Sequence, residues 1–371
     1  MKPIVLFFQS TWSKSWKDKL TGVYDYADKV GWQIQVIEAG SSRREVLEAL
    51  RKWNPVGCLV DRGMQNSEPP QRLFGNLPVV FLDQNPRNAG DCTFITHDSG
   101  ASVSLALEEF RRIGLPRLAY CGWRTPIFWN EQRRSAFEAF ARKWRIEHHF
   151  LPSSGIDTAL ARLPRPCGIV CANDITAQNV MAEISRLDFH VPEDFAVIGI
   201  DNDEFICEHT SPSLTSVDPG FVEAGYRLAE LLHRRMSTPS APHIHASYGP
   251  KALILRDSHR WLPNLDGRVK EAMEYIRRNI ADPSLTVNDV VSVMGCSRSL
   301  ADLLFRKASG SSIIAEIQRV RVDLACRLLA NPRQRISAVP SLCGYRSEPF
   351  FKRLFKRSTG CTMREWRKSR A

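Results

Sequence analysis

The sequence predicts two architectures in one chain. Residues 1–262 read as an α/β domain of parallel sheets covered by helices. Residues 263–371 read as an all-α domain with two helix-turn-helix units, at about 285–310 and 336–360. Three observations carry this expectation. Apolar runs alternate with amphipathic stretches until a break near WLPNLDG (261–267), and the alternation stops there. The chain has 51 Lys/Arg and 40 Asp/Glu, but residues 264–371 hold 21 of the former and 10 of the latter, leaving 30 of each in the first 263. One sequence pattern occurs twice in that basic part.

The elements follow in order. IVLFF (4–8) leads to WKDKLTGVYDYADKVG (16–31), and QIQVIEAG (33–40) to RREVLEALRKW (43–53). Then come VGCLVD (56–61), PVVFLD (78–83), the helical SGASVSLALEEFRRIG (99–114) and RLAYCG (117–122). NEQRRSAFEAFARKW (130–144), GIVCAND (168–174), ITAQNVMAEISRL (175–187) and FAVIGIDND (195–203) continue the alternation. PGFVEAGYRLAELLHRRM (219–236) precedes a last run, KALILRDS (251–258). Continuous apolar strands separated by helices imply sheets buried on both faces.

Polar residues gather just past the strand ends: Gln9-Ser10, Asp61-Arg62, Asp83-Gln84, Asn173-Asp174 and Asp201-Asn202. Ligands of open α/β sheets bind outside the carboxyl ends of the strands. Short acceptors and amides there suit a small polyhydroxylated ligand. The aromatics Trp12, Trp123, Phe128 and Trp129 could stack on its apolar face. A capping role explains any one of the Asp and Asn residues, but not the five clusters with their aromatics.

Other classes find little support. No GxGxxG follows the first strand, and GxxxxGK[ST] and GxSxG are absent, so neither an enzyme nor a cofactor is expected. The nine His are scattered. His148-His149 and His243-x-His245 are expected in surface or connecting segments. Ten Cys stand singly, which reads as reduced thiols and no metal site. PIVLFF is too short for a signal-peptide core, and no run approaches the roughly 20 apolar residues of a membrane helix. The expectation is a cytoplasmic protein. A basic domain with net charge +11 is the electrostatic footprint of a polyanion, most often nucleic acid.

Three phrases in the first part, VCANDITAQNVMAEI, VPEDFAVIGIDNDEFICEHTSPSLTSVD and GWRTPIFWNEQRRSAFEAF, resemble the LacI/GalR-type, periplasmic-binding-protein-like effector domain. The last carries that family's Arg-x-x-Gly-Phe signature as Arg133-x-x-Ala136-Phe137. The resemblance implies two Rossmann-like lobes with a sugar clamped between them. It implies Arg133, Asn173 and Asp201 as ligand contacts, with Asp98 in FITHDSG as a further one. With Gln9, Asp61 and Asp83 from the strand ends and Trp129 from the resemblance, these make the candidate ligand set.

The basic part opens with RVKEAMEYIRRNI (268–280), closed by Ala-Asp-Pro. SLTVNDVVSVMGCSRSLADLLFRKASG (284–310) then gives helix, turn and helix, with Gly295 at the turn and Ser297 as N-cap. SSIIAEIQRVRVDLACRLLAN (311–331) is one long helix. RISAVPSLCGYRSEPFFKRLFKRSTG (335–360) repeats the first unit, with Gly344 for Gly295, Phe355-Lys356 for Phe305-Arg306, and Thr359-Gly360 for Ser309-Gly310. Pro340 is tolerable if Ser337 is the N-cap and Pro340 the third helical residue; Ser347 as N-cap puts Pro349 second.

Two such units joined by one helix resemble the AraC-type DNA-binding domain, where Met363 replaces a usual proline. Arg298, Asp302, Arg346, Glu348 and Lys352 lie early in the second helices and are the base-edge candidates, with Ser299 and Ser347 as further DNA-binding candidates. Arg306, Lys356 and Arg357 lie late and suit phosphates.

The order, effector domain first and AraC-type domain last, resembles xylose-operon-type regulators over almost the whole chain. It implies a DNA-binding transcriptional regulator of a sugar operon, a pentose being the first guess. It also implies a homodimer, with RNA polymerase as a further candidate partner. The alternative is a regulator that senses a non-sugar ligand or a protein partner.

Overall fold

The computed structural model describes residues 2–9, 14–38, 43–62, 71–88, 90–125, 127–261, 266–330 and 334–368. Ser10 and Trp12, and most of the break at 261–267, lie outside them.

The alternation yields two sheets. In chain order the first lobe has β1 (Ile4–Gln9), α1 (Lys14–Val30), β2 (Gln33–Glu38), α2 (Arg43–Trp53), β3 (Gly57–Asp61), α3 (Gln71–Phe74), β4 (Val79–Leu82) and β5 (Thr93–His97). The second lobe follows with α4 (Ser99–Arg112), β6 (Arg117–Cys121), α5 (Phe128–Trp144), β7 (Glu147–Leu151), α6 (Ile156–Arg162), β8 (Cys167–Cys171), α7 (Asp174–Arg186), β9 (Phe195–Ile200), α8 (Glu204–His209) and β10 (Thr215–Asp218). The chain then returns to the first lobe for α9 (Phe221–Ser237) and β11 (His245–Tyr248), and goes back to the second for β12 (Ala252–Ile254).

Strand orders are β11-β5-β4-β3-β1-β2 and β12-β10-β9-β8-β6-β7. All pairings are parallel except β12 on β10. The continuous apolar runs are the central strands, buried on both faces, as in β9 with Phe195–Ile200 wholly covered.

Two edge strands escape the periodicity. β7 and β11 are polar and largely uncovered, because an edge strand buries less of itself. His148 and His149 therefore sit at the surface, as one of the two expected placements, but in an edge strand and not in a connecting segment, and His245 begins another.

The chain passes between the lobes three times, at Asp98, at Pro219–Gly220 and at Gly249–Lys251. The crossings touch. Gly249 has φ +62, and a Cβ there would lie 2.2 Å from the Pro219 carbonyl oxygen and 3.3 Å from His97 Cδ2. Three short connections in mutual contact form a compact hinge.

Beyond the break come α10 (Gly267–Arg278), α11 (Val287–Val293), α12 (Arg298–Ser309), α13 (Ile313–Ala330), α14 (Val339–Leu342), α15 (Glu348–Thr359) and α16 (Met363–Lys368). One apolar core gathers α10–α13 around Val290, Ala301, Phe305 and Ile317. A second gathers α13–α16 around Val339, Phe351, Phe355 and Trp366. The long helix α13 belongs to both.

Each helix-turn-helix has the turn glycine expected, with φ +58 at Gly295 and +74 at Gly344. Ser297 and Ser347 cap α12 and α15, accepting from the backbone N–H of Leu300 and Phe350. Pro349 is second in its helix, as the spacing predicts. Ser337 is not a cap, however. It lies in a 3₁₀ turn, Ile336–Ala338, and Pro340 is the second residue of α14. Its missing N–H costs nothing there, since the first helical amides have no intrahelical acceptor.

Candidate ligand cleft and nucleic-acid interface

The cleft is organised around a lysine. Helices α1 and α9 approach so closely that a Cβ on Gly225 would lie 1.8 Å from the Lys19 carbonyl oxygen, and one on Gly22 would lie 1.9 Å from that of Val222. That approach fixes the Lys19 side chain beneath the strand ends. Its Nζ stands 3.0 Å from Asp61 Oδ2 and 2.8 Å from Asp83 Oδ2, all nearly out of solvent. Burial alone would lower the ammonium's pKa, but the two carboxylates outweigh it and the net shift is upward, so Lys19 stays a cation. Burial likewise works to raise Asp83, and Lys19 overcomes it, holding this carboxyl below its usual range.

Asp83 joins the distant parts of the first lobe. It accepts from the His97 backbone N–H at 3.1 Å and from the Tyr248 hydroxyl at 3.0 Å. His97, at the end of β5, then reaches across the seam: its Nδ1 is 3.3 Å from Arg133 Nη2, on α5 of the second lobe. Burial, reinforced by Arg133, pushes His97 down to about 3, so the ring is neutral. A guanidinium can only donate, which makes Nδ1 the acceptor and leaves Nε2–H to donate to Ser102 Oγ at 2.9 Å.

Arg133 itself is 4% exposed. Its guanidinium lies over the Trp129 ring at 4.8 Å and donates to the Ala172 carbonyl. Asp201, just past β9 with φ +127, is pushed up to about 7 by burial, against the pull of Arg133. Two buried atoms here have no hydrogen-bond partner among the described residues, Arg133 Nε (a donor) and Gln9 Oε1 (an acceptor). Leaving such an atom unpaired costs about 1–3 kcal/mol. A ligand that both donates and accepts, as hydroxyl groups do, would relieve both.

The structure thus brings together Asp61, Asp83, Trp129, Arg133 and Asp201. Gln9 is buried beside them, its amide N–H donating to the Trp16 carbonyl at 3.0 Å. Asp98 and Asn173 have local work: Asp98 caps α4 from an exposed position, and Asn173 caps α7 and also accepts from the Thr176 hydroxyl at 2.7 Å. Trp123 and Trp129 pack against the second lobe's core.

Sequence reasoning missed Lys19, His97 and Tyr248. The sole local sign of Lys19 was Gly22 within a helical pattern, a mark of close backbone approach. Asp174, named among the strand-end polar residues but not in the ligand set, is buried next to Asn173 and accepts from Asp203 N and Ser216 Oγ at 2.6 Å each. Burial pushes Asp174 up to about 6.

The basic helices present the opposite environment. On α15 the buried side is Phe351, Leu354 and Phe355; Lys352, Arg353, Lys356 and Arg357 are exposed. On α12 Ala301 and Phe305 are buried, and Arg298, Ser299, Leu303, Arg306 and Lys307 are exposed. Arg346 and Ser347 are exposed at the start of α15. Four base-edge candidates pair with one another: Arg298 with Asp302 at 3.1 Å, and Lys352 with Glu348 at 2.6 Å. Arg298 also donates to Asn288 Oδ1 at 2.9 Å.

Polar contacts join the basic helices to the second lobe. Arg277 pairs with Glu193 at 2.9 Å and Lys270 with Asp194 at 3.4 Å, and His190 Nε2 lies 3.2 Å from Glu274 Oε1. Arg319 of α13 pairs with Asp257 beyond β12, and on its own helix with Glu316 and Asp323. Beside Arg319 an open cleft of about 480 Å³ separates the two parts.

Comparison with known proteins agrees with this division. Residues 107–259 match the family described as periplasmic binding protein-like domain, and residues 290–369 match the helix-turn-helix domain family. The xylose operon regulatory protein of Escherichia coli (strain K12) is 27% identical over 366 residues, covering 93% of this chain and 91% of that protein. The arabinose operon regulatory protein of the same organism is 32% identical over 105 residues, 28% of this chain and 36% of that one. Among solved structures, that of the xylose-binding transcription activator xylR has the same fold, with TM-score 0.78 at 24% identity, covering 100% of this chain and 99% of the other.

Proposed function

We propose a ligand-gated DNA-binding mechanism for this chain, a transcriptional regulator that joins a LacI/GalR-like effector domain to an AraC-type DNA-binding domain and is not an enzyme. The effector domain occupies 1–262 and the DNA-binding domain 263–371. A monosaccharide, with a pentose first among them, closes the two lobes. The carrying observation is the Arg133–His97 contact across the seam, beside the unpaired Arg133 Nε and Gln9 Oε1. Arg133 donates to the sugar, Asp201 accepts two of its hydroxyls, and Trp129 backs the guanidinium. Asn173 and Asp98 offer further contacts from their helix starts. Asp61 and Asp83 act through Lys19, as the fixed floor of the cleft.

Closure moves the second lobe, and the second lobe holds the DNA-binding domain by Arg277 and Arg319. Movement therefore reaches the helices. In a homodimer it resets the spacing of four helix-turn-helix units. Each protomer lays α12 and α15 into successive major grooves, about 34 Å apart. Arg306, Lys356 and Arg357 hold phosphates there, and RNA polymerase is the natural further partner. Control of an operon in this way needs the protein in the cytoplasm, with the DNA.

Calorimetry of the wild type and Asp201→Ala against a panel of monosaccharides tests the cleft. The expected result is one tight sugar for the wild type and none for the variant; equal binding by both removes Asp201 from the site.

A further inference from the structure

The two helix-turn-helix units differ at the centre of their outward faces, and that difference assigns base preference. Helices α12 and α15 superpose residue for residue by their ends: serine caps at 297 and 347, twelve helical residues each, and glycine C-caps at 310 and 360. Position 303 therefore corresponds to 353. On α12, Ser299, Leu303 and Arg306 follow the i, i+4, i+7 spacing that puts residues on one face, opposite the buried Ala301 and Phe305. On α15 the same face is Pro349, Arg353 and Lys356, opposite Phe351 and Phe355.

Leu303 is 64% exposed, more than any other large apolar side chain described in the C-terminal domain. Apart from the partly exposed Leu300 one turn back, its neighbours are polar: Ser299, Arg306 and the Arg298–Asp302 pair. An apolar protein partner would have to bury those charges; the major groove of DNA offers phosphates to Arg306 and a thymine methyl to Leu303. At the equivalent place Arg353 is exposed and makes no ion pair among the described residues, while its neighbour Lys352 is tied to Glu348. A free guanidinium in the groove prefers guanine, whose O6 and N7 accept two bonds.

We propose that Leu303 and Arg353 are specificity-determining residues, Leu303 selecting thymine in the first half of each protomer's site and Arg353 selecting guanine in the second. This rests on the DNA-binding reading above. Apart from Ser299 against Pro349, the other outward positions carry the same chemistry or a paired charge in both units. Arg306 and Lys356 are cations, Leu300 and Phe350 are both apolar and partly exposed, and Asp302 and Lys352 each hold a partner on their own helix.

The test is selection of bound duplexes from a randomised library by the full chain, with and without D-xylose. The wild type should enrich a thymine and a guanine about one helical turn apart. Replacing that thymine by deoxyuridine, which lacks only the methyl, should weaken wild-type binding roughly four-fold and leave Leu303→Ala unaffected. Leu303→Arg should convert the selected thymine to guanine and keep the other position. Both side chains are exposed, so the fold survives these changes. An unchanged motif with Leu303→Ala, or its retained sensitivity to deoxyuridine, overturns the assignment alone. Failure of the wild type to retain any duplex overturns it together with the DNA-binding reading.

Discussion

The ligand cleft and the DNA-facing helices both depend on charged side chains, yet they hold them oppositely. In the cleft Lys19, Asp83 and Arg133 are held out of solvent and linked, Asp83 to Lys19 directly and to Arg133 through His97, with Tyr248 donating to Asp83. On α15 Arg353, Lys356 and Arg357 stand in solvent. A buried charge that loses its partner is costly, whereas an exposed one is screened and nearly free. The cleft is thus part of the stability of the fold, and the DNA face is not. This separates what can be changed without unfolding the protein from what cannot.

The largest expected effect comes from the cleft. Lys19→Met leaves two carboxylates facing each other out of water and should cost about 3–5 kcal/mol in urea unfolding. A midpoint equal to that of the wild type would break the contrast. Next is Arg133→Ala, which removes a charged donor to the ligand. Calorimetry should show sugar affinity falling by one to two orders of magnitude, with binding to DNA without sugar retained; undiminished affinity would take Arg133 out of the site.

The third effect is a pH dependence. Asp201 titrates at about 7 in the folded chain, above its ordinary value of 3.8. The native state therefore holds this proton more tightly than the unfolded one, and the stability it contributes is present at low pH and lost as pH rises from about 4 to about 7. Sugar hydroxyls donate to the ionised form, so affinity should move the other way, gaining roughly ten-fold from pH 6 to pH 8. Calorimetry in buffers of different ionisation heat reads the proton released; a flat profile sinks this role.

The smallest effect on the fold belongs to the DNA face. Lys356→Ala with Arg357→Ala should change stability by under about 0.5 kcal/mol. The slope of log K against log salt should become shallower by about 2 from a wild-type value of roughly −5 to −7. Loss confined to one DNA sequence would instead make these residues base readers.

Much of the molecule was legible in the sequence. Central strands showed as PVVFLD and FAVIGI because burial on both faces demands continuous apolar residues. Both helix-turn-helix units showed because glycine at the turn and serine at the cap are local backbone needs. Arg133 and Asp201 were legible through a family's signature and a strand end. The polar edge strands β7 and β11 were hidden because edges bury little, and whether Ser337 caps its helix is not legible because a serine before a short helix looks alike whether or not a 3₁₀ turn intervenes.

By itself the sequence determined the alternation of central strands and helices, the division between a neutral and a basic part, and the duplicated helix-turn-helix. These follow from residues near one another, read through the two periods of strand and helix and through net charge. Only the tertiary structure decided which charges meet. Lys19 finds Asp83 64 residues away, and Tyr248 finds it across 165. No local pattern encodes such a contact: it exists because α1 and α9 cross at two glycines and because three chain crossings converge at one hinge.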